Sequence, residues 1–341
     1  MDVDTRWPSG VGQASPDTVE HPESKIDIDM DVPPSLPQRM GRRRVRSRAD
    51  RVRSRPRKSK AAPPVEMKTG EELRAAIMAV AMGAAVFLEI FSGSARLSSC
   101  MTSVGIAAIG VDILQGYDLL RADIEAVIGE LIKGGFIAGI WLATPCQGLG
   151  RARRGTPWKK RLAKGTQKGF PAAIRGRGHE WGLPVEELCP RDRQTLAQSN
   201  ALIRFSLRII EAAVSAGVPV AMENPAKSYL WTLPEVGAML EAKGCARVTL
   251  DFCGYGTPWQ KSTTLLFRGW TGVGSLSKRC RAVRCGKGVP CLCGFSFKPH
   301  QHLSGICREE KTWWTSVAEP YPWPLAQAIA DVFRAMRGLF P

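Results

Sequence analysis

The chain has 341 residues and a formal net charge of +17, and 44% of its residues are hydrophobic. This length suffices for one large domain or two ordinary ones, and the apolar share excludes a wholly disordered chain. The longest apolar run, residues 75–88, has 14 residues, too few to span a bilayer, so no membrane partner is expected. The opening residues lack a basic region followed by an apolar stretch, which predicts no secretory signal.

Positive charge is concentrated in two blocks. Residues 39–60 hold twelve bases and one acid, after an acidic stretch at 1–38, and residues 151–177 hold ten bases and no acid. Two basic blocks suit a polyanion and indicate a nucleic-acid partner. The first block equally fits a nuclear-localisation signal or a role in solubility. We therefore expect a nuclear protein if the host is eukaryotic and a cytoplasmic one otherwise.

Residues 1–66 are rich in Pro, Asp and Arg without an apolar period, which predicts a disordered tail. After the tail, apolar runs alternate with stretches of helical period. The predicted elements are helix 71–84, strand 86–91, helix 95–105, strand 106–112, helix 122–135, strand 136–143, a basic loop 148–190, a helix through 196–214, strands 218–222, 248–252 and 263–267, and helix 324–340. This alternation predicts an α/β fold with an open, mostly parallel sheet.

Ligands of such sheets bind beyond the carboxyl ends of the strands. The first predicted strand runs into Ser92, Gly93 and Ser94, which either bind a ligand through free N–H groups or form an ordinary tight turn. Asp112 ends the second strand, where it either accepts a ribose hydroxyl or is simply an exposed acid. Asp123 opens the following helix, either as its N-cap or as a contact for an adenine amino group.

Two further strand ends carry reactive or polar groups. Cys146 follows the strand 136–143, and the bases after it are predicted to favour its thiolate, the nucleophilic form. The alternative is a buried structural cysteine. Glu223 and Asn224 follow the strand 218–222, where they either hydrogen-bond the edge of a planar heterocycle or form an ordinary turn.

In chain order, the segments FSGSA, VD, ADI, PCQ, EN and YGTPWQKST resemble the ordered motifs of the cytosine-C5 methyltransferases, over roughly residues 85–267. The pattern is similar to divergent members found in mobile elements and protist genomes. The resemblance implies a Rossmann-like, S-adenosylmethionine-dependent methyltransferase fold that methylates C5 of cytosine, with DNA as the favoured substrate. It implies that the cofactor is bound by Phe91, Ser92, Gly93, Ser94, Asp112, Ile113, Asp123 and Ile124.

The resemblance also implies a mechanism. Cys146 attacks C6 of cytosine while Glu223 holds or protonates N3; C5 then takes the methyl group, a base removes the C5 proton, and Cys146 leaves. The implied catalytic residues are Pro145, Cys146, Gln147, Glu223, Asn224 and Lys261. Because a duplex hides C5, the target base must be flipped out or unpaired. The residues expected to contact nucleic acid are Arg151, Arg153, Arg154 and Gln260.

The sequence departs from the family pattern at several positions. GSA stands where the family has a second glycine, ENP replaces ENV, and WQKST replaces Q-x-R-x-R. Only about 50 residues separate the last predicted strand from the C-terminal helix, which is short for a target-recognition domain. Two alternatives therefore stay open: a catalytically inactive methyltransferase-fold protein of a mobile element that binds nucleic acid, and an RNA cytosine methyltransferase.

Seven cysteine and histidine residues fall within 28 positions near the C-terminus. They suggest a structural zinc, because a metal lets a small module fold without a large core. The alternative is scattered structural cysteines and surface histidines. The first-choice ligands are Cys280, Cys285, Cys293 and His300, with Cys291, His302 and Cys307 as alternates. The expected divisions are a tail 1–66, a catalytic domain 67–268 with a basic insert 148–190, a Cys/His-rich module 269–321, and a helix 322–341 that packs on the catalytic domain.

Overall fold

A six-stranded sheet organises the part of the chain that the computed structural model describes, residues 65–150, 172–282 and 291–338. Its strands are β1 (Val86–Ile90), β2 (Ala108–Val111), β3 (Ile137–Leu142), β4 (Val220–Pro225), β5 (Cys245–Asp251) and β6 (Ser262–Arg268). Their order across the sheet is β2-β1-β3-β4-β6-β5. Neighbours from β2 to β4 are parallel, whereas β6 runs antiparallel to both β4 and β5. The prediction of an α/β fold with a mostly parallel sheet is confirmed.

Helices cover both faces of this sheet. They are α1 (Gly70–Ala81), α2 (Arg96–Ser103), α3 (Ala122–Lys133), α4 (Pro190–Ser215), α5 (Pro234–Glu241), α6 (Trp314–Val317) and α7 (Trp323–Gly338). A two-stranded ladder of β7 (Ile306–Cys307) and β8 (Thr312–Trp313) precedes α6. The sequence did not predict α5, α6 or this ladder, because each is too short to show a clear hydrophobic period.

Alternate side chains of β1 enter two separate cores. Leu88 and Ile90 pack on the face covered by α1, α3 and α4. Phe87 points to the other face and meets Phe333 of α7 edge to face, with 4.9 Å between ring centroids. Gly139 of β3 leaves room for this ring, since an added Cβ would lie 2.5 Å from Phe333. The C-terminal helix therefore packs directly on the sheet.

Asp123 ties α1 to α3. Its carboxylate accepts the N–H of Gly70 at 2.8 Å and two guanidinium N–H groups of Arg121 at 2.9 Å. The Arg121 hydrogen bonds, followed by the Gly70 N–H, hold the pKa of Asp123 well below its usual range. Arg121 is itself the N-cap residue of α3. Of the two roles that the sequence left open for Asp123, that of N-cap is excluded, because its side chain reaches across to the neighbouring helix; the contact with an adenine amino group stays a prediction.

The described residues all belong to one compact unit, Pro56–Pro341. The predicted tail 1–66, apart from its last two residues, lies outside them, as do residues 151–171 of the basic insert and residues 283–290. Within the described ranges, no helix is both long enough and apolar enough to cross a bilayer.

Candidate functional site

The ends of β3 and β4 bring the predicted catalytic residues to one edge of the sheet. The two strands pair in parallel through Leu142 and Met222, so the turns after them leave the sheet on the same side. Asn224 is fully buried, and its Nδ2 donates to the backbone oxygen of Thr144 at 2.6 Å. This bond fastens the turn that carries Cys146 to the end of β4, which makes Asn224 a positioning residue.

Cys146 is exposed to solvent but is surrounded by protein groups that influence its thiol. Its side chain is exposed, yet the surrounding protein raises the pKa of the thiol by desolvation. The negative charge of Glu223 raises this pKa further, whereas Lys261 lowers it, and the net shift is upward. The described residues therefore raise the pKa of Cys146 and disfavour its thiolate, whereas the sequence predicted that the thiolate would be favoured. Eight of the ten bases on which that prediction depended lie outside the described residues, among them Arg151, Arg153 and Arg154.

Glu223 is buried, and its carboxylate is held by a hydrogen bond to one of its two oxygens. Its Oε2 accepts a hydrogen bond from the Tyr321 hydroxyl at 3.3 Å, and its Oε1 has no partner among the described residues. Burial raises the pKa of Glu223, although Lys261 and Tyr321 act in the opposite direction. The Tyr321 hydroxyl also accepts a hydrogen bond from Trp141 Nε1 at 3.0 Å. Sequence reasoning missed Tyr321, since it lies 98 residues beyond Glu223 and outside every motif.

Lys261 acts on this site through its charge. Its Nζ donates to the backbone oxygen of Ala318 at 3.1 Å and lies 4.7 Å from the ring centroid of Phe252. These contacts fix the ammonium group, whose field lowers the pKa values of both Cys146 and Glu223. The remaining predicted residues here are surface groups, with Gln147 and Gln260 exposed and Pro145 half-buried.

Arg175 fixes the turn that follows Cys146, a role the sequence did not predict. The side chain is 1% exposed, and its Nε donates to the backbone oxygen of Gly148 at 3.1 Å. Its other N–H groups bind the side chains of Ser199 and Asn200 on α4, at 3.1 and 2.6 Å. Because these acceptors are neutral, burial lowers the pKa of Arg175 to about 10. The turn is thereby anchored to α4.

The turn between β1 and α2 has an unusual backbone. Phe91, Gly93 and Ala95 adopt φ values of +61°, +51° and +52°, which are costly for Phe and Ala. The N–H of Gly93 donates to one carboxylate oxygen of Asp112 at 3.2 Å, and the other oxygen accepts the N–H of Leu114 at 2.9 Å. Asp112 therefore closes this turn against the end of β2.

Glu89 lies on β1 beneath the same turn. It is fully buried, and its Oε2 accepts two hydrogen bonds of 2.7 Å from the backbone and hydroxyl of Ser98. Its Oε1 has no partner among the described residues, and burial raises the pKa of Glu89 to about 7. Glu89 was not among the predicted site residues.

The other predicted cofactor residues differ in their surroundings. Ser92 is buried, Ser94 is exposed, and Ile113 is 51% exposed directly after Asp112. Ile124 is fully buried in the hydrophobic core formed with α1 and α4, so its side chain cannot face a cofactor. The prediction that Ile124 binds cofactor is therefore wrong.

A Cys/His cluster lies beyond β5. The ligand atoms of Cys253, Cys280, Cys293 and His300 all lie within 4.8 Å of one another. The Cys280 and Cys293 sulfurs are 3.8 Å apart, and the Cys280 sulfur is 3.7 Å from His300 Nε2. Tetrahedral zinc, with bonds of about 2.3 Å to sulfur and about 2.1 Å to nitrogen, requires separations of about 3.8 and 3.6 Å. The cluster therefore fits a metal such as zinc.

Backbone groups support the sulfur atoms of this cluster. The N–H of Gly294 points at the Cys280 sulfur and that of Phe295 at the Cys293 sulfur, both at 3.4 Å. Burial alone would raise the pKa of Cys293, but hydrogen bonds from Phe295 and Ser296 outweigh it and lower this pKa to about 6. Such donors favour the thiolate form that a metal requires.

Three of the four first-choice ligands, Cys280, Cys293 and His300, lie in this cluster. The fourth member is Cys253, which the sequence analysis placed in the catalytic domain; tertiary folding brings it to the cluster from the end of β5. The predicted Cys285 lies outside the described residues. The alternates lie outside the cluster: Cys291, His302 and Cys307.

An apolar cavity of about 360 Å³ lies at the opposite edge of the sheet. Its lining includes Val220 and Cys245, the first residues of β4 and β5, together with Met239 of α5 and Leu207 of α4. Cys146 lies beyond the carboxyl end of β3 and Glu223 lies in the second half of β4, and neither residue lines this cavity.

The geometry thus defines an α/β protein with a strand-end site of thiol, carboxyl and amide groups and an adjoining Cys/His cluster. No family model matches the chain, and no curated protein matches its sequence.

Proposed function

We propose that the chain transfers a methyl group from S-adenosylmethionine to C5 of cytosine in nucleic acid, DNA by preference, through a covalent adduct on Cys146. The main support is the position of Cys146 and Glu223 at the ends of adjacent parallel strands, where the charge of one shifts the pKa of the other. The Asn224 hydrogen bond to Thr144 joins the turn after β3 to the end of β4. A thiol beside a buried carboxyl and amide suits covalent attack on a heterocycle.

A Rossmann-like methyltransferase fold is part of this proposal. The chain passes from β1 to β2 on one side and then to β3 on the other side of β1. Ligands of open α/β sheets bind at such a reversal of strand order, beyond the carboxyl ends. The turn between β1 and α2 lies at this point.

The residues around this turn fit a cofactor. Glu89 Oε1 is a buried acceptor with no donor among the described residues. When bound, S-adenosylmethionine supplies an electrophilic methyl group. The residues that would hold it are Phe91, Ser92, Gly93, Ser94, Asp112 and Ile113.

In the proposed reaction the Cys146 thiolate bonds to C6 of cytosine, and the electrons of the C5–C6 bond move toward C5. Glu223, whose pKa burial raises, donates a proton or hydrogen bond to N3 and so stabilises the charge that develops on the ring. A protonated Glu223 also removes the negative charge that raises the pKa of Cys146. After methylation a base takes the C5 proton, the C5–H electrons re-form the C5–C6 double bond, and the electrons of the C6–S bond return to sulfur, which releases Cys146.

We also assign a structural zinc to the cluster of Cys253, Cys280, Cys293 and His300. Four protein ligands complete a tetrahedral coordination sphere and leave no position for a substrate, which is typical of structural zinc. The metal would link the end of β5 to the segment that carries the other three ligands.

Transfer of labelled methyl groups to separate DNA and RNA substrates tests the reaction. We expect label on DNA with the wild-type protein and none with Cys146→Ser. Label on RNA alone would reject the preference for DNA. Binding of both polymers without label on either would reject the enzyme in favour of a nucleic-acid-binding protein.

A further inference from the structure

We propose that the turn Cys293–Lys298 is a stacking platform for an unpaired base of the bound nucleic acid, with Phe297 as the ring on which the base stacks. This inference rests on the proposed function for the class of ligand. It adds a second contact surface, separate from the site at Cys146.

Two backbone hydrogen bonds and the contacts of Cys293 restrict the conformation of this turn. The N–H of Phe297 donates to the backbone oxygen of Cys293 at 2.9 Å, and the N–H of Cys293 donates to that of Lys298 at 2.9 Å. Cys293 also belongs to the Cys/His cluster, and the N–H of Phe295 points at its sulfur. A ring on this turn is therefore held in place before a ligand arrives, which reduces the entropy lost on binding.

Phe297 presents its ring to solvent. The side chain is 70% exposed, and its backbone φ is +53°, a conformation that is rare and costly for a bulky residue. The neighbouring Phe295 is less exposed, at 44%, because its ring packs over Gly254, where an added Cβ would come within 3.2 Å. Phe295 thus supports the turn from below while Phe297 projects from its tip.

The segments that form and flank the platform carry basic residues and no acidic ones, and one of these bases, Arg279, is paired with the buried Asp251 at 3.3 Å. Residues 270–282 and 291–308 contain no aspartate or glutamate. The exposed cations in these segments are Lys278, Arg279, Arg281, Lys298 and Arg308. An aromatic ring among cations matches nucleic acid, because bases stack on the ring while phosphates bind the cations.

The platform is joined to the loop that precedes β6. The N–H of Gln301 donates to the backbone oxygen of Pro258 at 2.8 Å, two residues before the predicted nucleic-acid contact Gln260. On the other side, Cys253 follows Phe252, whose ring contacts the Lys261 ammonium group. The segment directly after the platform is therefore joined by a hydrogen bond to the loop that carries Gln260 and Lys261.

The test is binding of a fluorescent single-stranded oligodeoxynucleotide, at fixed salt and without S-adenosylmethionine, to the zinc-loaded full chain. Phe297→Leu keeps an apolar side chain but removes the ring, and we expect its Kd to rise about tenfold, within the range of measured base-stacking effects. Phe297→Trp should bind at least as tightly as wild type. Phe136→Leu is the matched control, because Phe136 is also exposed (41%) but lies at the start of β3.

A Kd of Phe297→Leu within twofold of wild type, with equal zinc content, would overturn the platform. So would absence of oligonucleotide binding by the wild-type chain, which would point instead to an acidic protein as the partner. Binding that depends on Phe297 without any methyl transfer would reject the proposed enzyme and retain the platform. Methyl transfer together with oligonucleotide binding that does not depend on Phe297 would retain the proposed enzyme and reject the platform.

Discussion

The Tyr321 hydroxyl donates to Glu223 Oε2 at 3.3 Å and accepts a hydrogen bond from Trp141 Nε1 at 3.0 Å. Three buried side chains from β3, β4 and the segment before α7 are thus joined in a row. One oxygen of Glu223 is held by this row, and the other has no partner among the described residues. Tyr321 therefore sets the orientation of Glu223 and leaves Oε1 available to a ligand.

Tyr321→Phe should lower both stability and turnover. The change leaves Trp141 Nε1 without its acceptor and removes the Tyr321 hydrogen bond to Glu223, which costs about 1–3 kcal/mol in the free energy of unfolding. We expect reduced kcat with unchanged affinity for S-adenosylmethionine. Tyr255→Phe is the control, because Tyr255 also donates from a buried site, to the Leu276 oxygen at 2.7 Å. Equal kcat losses in the two variants would contradict the role assigned to Tyr321.

The reactivity of Cys146 should respond in opposite directions to its two charged neighbours. Glu223 raises the pKa of Cys146 and Lys261 lowers it. Glu223→Gln should therefore shift the pH profile of Cys146 alkylation to lower pH, and Lys261→Met should shift it to higher pH. Mass spectrometry of the digested protein follows Cys146 and, as an internal control, the exposed Cys291. Shifts in the same direction for both variants would contradict the electrostatic account.

Glu89→Gln should stabilise the protein at high pH. The pKa of Glu89 is about 7 in the folded state, above its unfolded value, so the folded state binds the extra proton and stability falls as pH rises from about 4.5 to 7. The full effect is at most about 3 kcal/mol. Urea unfolding should show little difference between variant and wild type at pH 5 and a clear gain for Glu89→Gln at pH 8. The exposed Glu71→Gln should show no such gain, and a pH-independent effect of Glu89→Gln would count against the assignment.

Purified protein should contain one zinc per chain, bound by the Cys/His cluster. Cys253→Ser removes a ligand and should lose the metal, with a lower thermal midpoint. Cys291→Ser, a change of the same chemistry at an exposed cysteine outside the cluster, should retain both. Zinc retained in full by Cys253→Ser would refute the ligand set.

Local patterns in the sequence predict the elements of the sheet well. A strand such as Ile137–Leu142 is buried on both faces and therefore reads as a continuous apolar run. The position of β6 between β4 and β5 could not be predicted in this way. It depends on long-range pairs such as Glu223 with Leu265 and Val248 with Leu265, which no local pattern encodes.

The site was predicted in part for the same reason. Cys146 and Glu223 each follow an apolar run of the sequence, which predicts their place near the sheet edge, although β4 continues through Glu223 to Pro225. Arg175, Tyr321 and Cys253 reach their partners from distant segments. No local sequence motif marks any of these residues as functional, and each acquires its role only through contacts made in the folded protein.

The most direct test of the central claim is covalent trapping of Cys146 by an oligonucleotide with 5-fluorocytosine at the target position. Fluorine leaves no C5 proton to remove after methylation, so the bond from sulfur to C6 should persist. We predict an adduct on the peptide containing Cys146 that forms only with S-adenosylmethionine present and is absent from Cys146→Ser. An adduct on another cysteine, or methyl transfer that persists in Cys146→Ser, would contradict the account.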